Sequence, residues 1–76
     1  MLEKFVEQVR VREGLPSPAA RRAIRVAARA SLQEFGDVVG VSHEAVRLWE
    51  LGRRRPSAAN AARYSELLDR LRKEIG

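Results

Sequence analysis

Ser31 to Gly52 reads SLQEFGDVVGVSHEAVRLWELG, and this stretch decides the fold. Ser31-Leu32-Gln33-Glu34 has the form of a capping box: the serine hydroxyl accepts from the third amide of a new helix, and the glutamate reaches back to the cap. Phe35 and Val39 follow one turn apart on a single face. Gly40 is a natural helix stop, because glycine enters the left-handed conformation without steric cost. Ser42, two residues later, offers a second N-cap. A second short helix is predicted from His43 to about Leu51, ended by Gly52 and forbidden to continue by Pro56.

Three further helices flank this pair. Toward the N-terminus, Ser17 is the N-cap of a helix with Pro18 at its first position, where a missing N–H costs nothing. That helix is predicted to reach about Ala30, with Ala20, Ala23, Ile24, Ala27 and Ala28 allowing close packing and Arg22, Arg25 and Arg29 on another side. Gly14 to Ser17 reads as a linker. Before it, Leu2, Phe5, Val6 and Val9 recur at helical spacing, predicting a short amphipathic helix over Leu2 to Arg12. Toward the C-terminus, Ser57 caps a last helix along which Ala61, Tyr64, Leu68, Leu71 and Ile75 step by three and four residues. The expectation is an all-α single domain of about five helices. It divides into an accessory helix within residues 1–14, a core over 18–56 and a terminal helix over 57–75.

The chain has 76 residues, enough for one modest core. It has no Cys, which rules out disulfides and cysteine zinc sites, so packing alone must stabilise it. No apolar run approaches a membrane span and no signal-peptide pattern opens the sequence, so a soluble cytoplasmic protein is expected. The formal charge is +5, and Arg outnumbers Lys by 13 to 2. Residues 17–56 hold +4 of that charge, through Arg21, Arg22, Arg25, Arg29, Arg47, Arg53, Arg54 and Arg55. A concentrated positive face attracts polyanions. A GC-rich genome would also favour Arg, so the placement of the charge says more than its amount.

Two short helices joined by Gly40-Val41-Ser42 are the sequence form of a helix-turn-helix. In such a unit the first helix braces on the DNA backbone and the second enters the major groove by its N-terminal end. Val46 and Trp49, three apart, share the inner side of the second helix. Glu44, Arg47, Leu48 and Leu51 lie opposite, with His43 at the exposed tip. A single Trp at this spacing is a core residue rather than a base-stacking platform.

Ala30 to Ser42, ASLQEFGDVVGVS, resembles the pattern LTQEELAEKLGVS, and His43 to Ser57, HEAVRLWELGRRRPS, resembles its continuation RSTISRYERGRRKPS. These patterns belong to the Cro/CI-type, or XRE-type, helix-turn-helix family of phage and bacterial transcription regulators. The resemblance runs from about Arg21 to Leu71. It implies a lambda-repressor-like fold and duplex DNA as the partner. It implies that His43, Glu44 and Arg47 occupy base-reading positions, where Arg can fork onto guanine and Glu can accept from cytosine. For Glu44 a second reading stays open: a carboxylate in a first helical turn is favoured by the helix dipole alone.

The resemblance also places Arg53, Arg54 and Arg55 where the family grips phosphates, and Gln33 near the backbone; a merely solvated basic loop is the alternative. Arg25 and Glu50 match positions that pair in the family, against the alternative of two exposed charges. Two departures stand out: Leu32 occupies the position of the family's usual Gln, and Leu51 that of a polar or basic residue.

A Cro-like repressor acting as a homodimer is the expected function. Leu67, Leu68, Leu71 and Ile75 would continue an apolar stripe into the dimer contact, unless they and the N-terminal helix cover each other within one chain. The rival readings are an antitoxin that binds a toxin and its own operator, and a DNA-bending recombination accessory factor. With a single His, no Gly-rich phosphate loop and no paired carboxylates in a plausible cleft, an enzyme is not expected. Neither is a metal, a cofactor or a small-molecule ligand.

Overall fold

A serine precedes every helix from residue 17 onward. The computed structural model describes residues 2–6 and 14–75. Ser17 Oγ accepts from Ala20 N at 3.2 Å at the start of α1 (Pro18–Ala27). Ser31 Oγ accepts from Glu34 N at 3.0 Å and the Glu34 carboxylate accepts from Ser31 N at 2.9 Å, closing the capping box of α2 (Leu32–Val39). Ser42 Oγ accepts from Ala45 N at 3.1 Å ahead of α3 (His43–Glu50). Ser57 Oγ accepts from Asn60 N at 3.2 Å ahead of α4 (Ala58–Ile75). Each such cap is worth about 1 kcal/mol, because it satisfies an amide the helix itself leaves unpaired. Residues 2–6 are helical as well, and the fold is all-α, with no strand among the described residues.

Two helix ends use glycine as expected, and one does not. Gly40 and Gly52 take φ of +89° and +71°. After α3, Gly52 N donates to Trp49 O and Arg53 N to Leu48 O, so two end carbonyls are satisfied. The same pattern closes α1, with Arg29 N donating to Val26 O and Ala30 N to Arg25 O. There the left-handed residue is Arg29, at φ +57°. The helix therefore stops at Ala27 rather than near Ala30. No glycine or proline marks that stop; the left-handed turn falls on Arg29, two residues before the Ser31 cap of the next helix.

The core joins three helices: Phe35 and Val39 from α2, Val46 and Trp49 from α3, and Ala61, Tyr64 and Leu68 from α4. Tyr64 is its hub. The Phe35 ring meets it edge-on at 6.2 Å, and Trp49 lies at 5.1 Å with the ring planes tilted by 37°. At the turn between α2 and α3, a Cβ on Gly36 would lie 2.6 Å from the Val41 carbonyl oxygen, so only glycine lets the two helices approach this closely. Ala20 and Ile24 on helix α1 are half-buried, as is Ala28 just past its end, with Arg21 buried beside them, whereas Ala23 and Ala27 are exposed. The alanine face expected to pack is thus turned partly to solvent, since the helix rotates to bring Arg21 and Arg25 over α3 and α4.

Leu68 is 1% exposed within the single chain, which takes it out of the expected dimer surface. Its position below Tyr64 on α4 makes it a core residue instead. Leu67 and Leu71 pack partly against the core, and Ile75 is 44% exposed. Leu2, Phe5 and Val6 are exposed, while Val9 and the expected helix end at Arg12 lie outside the described residues.

The Tyr64 hydroxyl is buried and has no hydrogen-bond partner among the described residues. Burial pushes its pKa up to about 12. Because the folded value lies above the ordinary value of about 10, stability is intact below pH 10 and is lost as pH rises from there toward 12. The loss should reach roughly 2–3 kcal/mol, at about 1.4 kcal/mol per pH unit. Tyr64→Phe should fold at least as well at pH 7, since it removes an unpaired polar atom, and should show none of the alkaline loss. Denaturant midpoints at pH 8 and pH 11.5 check both statements. An equal alkaline decline in the two proteins would exclude Tyr64 as its source.

Candidate nucleic-acid interface

Helix α3 is short, and its eight residues divide cleanly. Val46, Trp49 and Glu50 are buried, Ala45 and Leu48 half-buried, and His43, Glu44 and Arg47 exposed on the outer face. The N-terminal end, held by Ser42, presents His43 and Glu44 first. Arg47, one turn on, donates through Nε to Glu44 Oε2 at 2.9 Å and through Nη2 to Oε1 at 2.5 Å. The hydrogen bonds from Arg47 hold the Glu44 carboxyl below its ordinary range, and the same bonds raise the Arg47 guanidinium. Both side chains are about half exposed, so this pair is loosely held and adds little stability. Chemically it presents an acceptor and a set of donors side by side, the combination that complements the cytosine and guanine edges in a major groove.

The loop after α3 carries Arg53, Arg54 and Arg55, all exposed and free of ion pairs among the described residues. Its course is fixed at both ends, by the left-handed Gly52 and by buried Pro56. Three cations on an anchored loop suit the geometry of a polyanion backbone better than three on a free tail. Gln33 is exposed on α2, but its Nε2 donates to Asp37 Oδ1 at 2.8 Å, so its amide is already engaged by a carboxylate.

Behind the exposed face, Arg25 and Glu50 come together across α1 and α3. Arg25 Nε donates to Glu50 Oε2 at 2.7 Å and Nη2 to Oε1 at 3.0 Å, while Nη1 donates to the Ala30 carbonyl at 2.9 Å. The side chains are 12% and 4% exposed, so this is an interior pair with near-parallel forked bonds. The hydrogen bond to Glu50 raises the Arg25 pKa. The pair ties the C-terminal end of α3 to α1.

Arg21 went unmarked in the sequence except as one more positive charge. It is 6% exposed, donates through Nη2 to the Trp49 carbonyl at 3.2 Å, and lies 5.4 Å from the centre of the Tyr64 ring. Its spacing held a signal: it lies one turn before Arg25 and so shares that residue's helix face.

A family model described as helix-turn-helix matches residues 22–74 of the chain. No curated protein and no solved structure matches it.

Proposed function

We propose that this chain, which belongs to the Cro/CI-type (XRE-type) helix-turn-helix family, acts as a repressor that reads duplex DNA as a homodimer. Membership makes it a DNA-binding regulator; the sign of regulation, the reading residues and the dimer are our reading. The observation that carries it is the outer face of α3, where His43, Glu44 and Arg47 project from a capped helix end and make no contribution to the core. In this reading Arg47 forks onto guanine, Glu44 accepts from cytosine, His43 reaches a neighbouring base edge, and Arg53 to Arg55 grip phosphates. Gln33 adds a backbone contact only by releasing Asp37. A repressor of this kind works by occupying a promoter site, which needs affinity and register but no catalytic group. Arg47→Ala should cost roughly 1–3 kcal/mol on the preferred site, relax choice at one base pair, and barely change binding to random DNA. Gel-shift titrations on a selected site and on random duplex measure both. Equal losses on the two duplexes would make Arg47 a phosphate contact.

One recognition helix covers only a few base pairs, and two copies a helical turn apart supply the rest. Exposed Ile75 on α4 supports a contact there, flanked by half-buried Leu67 and Leu71. Because Leu71 also packs against the core of its own chain, Ile75→Glu is the cleaner variant. It should leave the fold intact, shift sedimentation at micromolar concentration from dimer to monomer, and weaken binding to a site with two half-sites. A wild-type chain that stays monomeric on its operator would overturn the dimer.

A further inference from the structure

A cleft runs between the start of α1 and the loop after α3. Leu15, Pro16 and Pro18 form one wall and Gly52 and Pro56 the other; Arg21, Arg54 and Arg55 supply its charge, and no carboxylate lines it. Arg21 is the deepest cation among the described residues, yet no described carboxylate lies within ion-pair distance of it, whereas Arg25, Arg47 and Arg70 each have one. Its Nη2 is bonded to the Trp49 carbonyl, but its Nε is buried with no partner among the described residues. A buried guanidinium without a counter-charge is costly, and the face of Tyr64 offsets only part of that cost. The N-terminal end of α1, a helix of ten residues, adds its positive dipole end at the same place.

We propose that this cleft binds a phosphate-type oxyanion, with Arg21 as its fixed donor and Arg54 and Arg55 closing over it. Guanidinium groups match phosphate oxygens in forked pairs, and a site without carboxylates does not repel the ligand. The phosphate comes either from the backbone of a bound duplex, where Arg21 adds a donor to the Arg54 and Arg55 contacts already assigned, or from free phosphate. The rival is that Arg21 only clamps the Trp49 carbonyl. The inference rests on the cleft rather than on base reading, so its first test needs no DNA.

The full chain is melted in sodium phosphate and in sodium chloride at matched ionic strength, alongside Arg21→Met, which keeps the volume and removes the charge. Wild type should gain about 4–8 °C in phosphate over chloride once phosphate is several-fold above its Kd. Arg21→Met should melt no lower than wild type in chloride and show none of the phosphate-specific gain. The exposed pair of changes Arg54→Ala and Arg55→Ala, which leaves the core untouched, should reduce the gain and guards against an Arg21 variant that fails to fold. Gel shifts then identify the source. If the duplex fills the cleft, Arg21→Met lowers the salt slope by about 0.9 per protomer and added phosphate competes with DNA. If free phosphate fills it, Arg21→Met leaves the salt slope and duplex affinity unchanged, although it abolishes the thermal gain that wild type shows. A wild type that responds no more to phosphate than to chloride, or an Arg21→Met that keeps the full response, would overturn the proposal.

Discussion

Arg25→Ala is expected to cost about 5 kcal/mol of folding stability and Glu50→Ala about 3 kcal/mol, the two ends of the range for breaking a buried pair from one side. The order reflects exposure. Removing Arg25 strands Glu50, whose side chain is 4% exposed; removing Glu50 strands Arg25, which is 12% exposed and keeps its bond to the Ala30 carbonyl. For a chain of this length total stability is roughly 4–11 kcal/mol, so a loss of about 5 kcal/mol removes from under half to all of it. The double variant should cost far less than the sum, because neither charge is then left unpaired. Circular dichroism with urea titration of all four proteins closes the cycle. Mild and additive losses would mean that the forked geometry carries no coupling energy.

Salt should act on DNA binding more strongly than any single substitution. If Arg53, Arg54 and Arg55 of two protomers each neutralise a phosphate, raising salt from 50 to 200 mM should weaken binding about 10³-fold. Replacing Arg53 and Arg54 by Ala in both protomers removes four contacts, and should flatten the log–log slope by about 3.6 at 0.9 per contact. Specific and random duplex should lose affinity alike, in contrast to Arg47→Ala. A double variant with the wild-type slope would remove the loop from the interface.

How much of this could be read from the amino acids depends on the range of the interaction concerned. The four serine caps and the stops at Gly40 and Gly52 were legible because each is settled within three or four residues, by a hydroxyl near an amide or by a residue without a Cβ. The inner positions of Val46 and Trp49 came from spacing alone. Arg29 was not legible as a helix end, since no property of arginine favours the left-handed backbone it adopts. The burial of Arg21 and Leu68 depends on Tyr64, a residue distant from Arg21 in the sequence, and helical period cannot say which apolar stripe faces its own core. Of the candidate interface, its residues and their exposure were accessible, but the engagement of Glu44 with Arg47 and of Gln33 with Asp37 was not.

The division of α3 into a buried face and an exposed one has an evolutionary consequence. Val46, Trp49 and Glu50 carry the helix's structural obligations, while His43, Glu44 and Arg47 touch none of the core. Replacements among the latter three are therefore nearly neutral for folding, at the few tenths of a kcal/mol typical of surface positions. Lineages diverging from this chain are free to drift in target choice without passing through unstable intermediates. The same independence lets the three side chains be exchanged as a cassette, with the scaffold behind them left untouched.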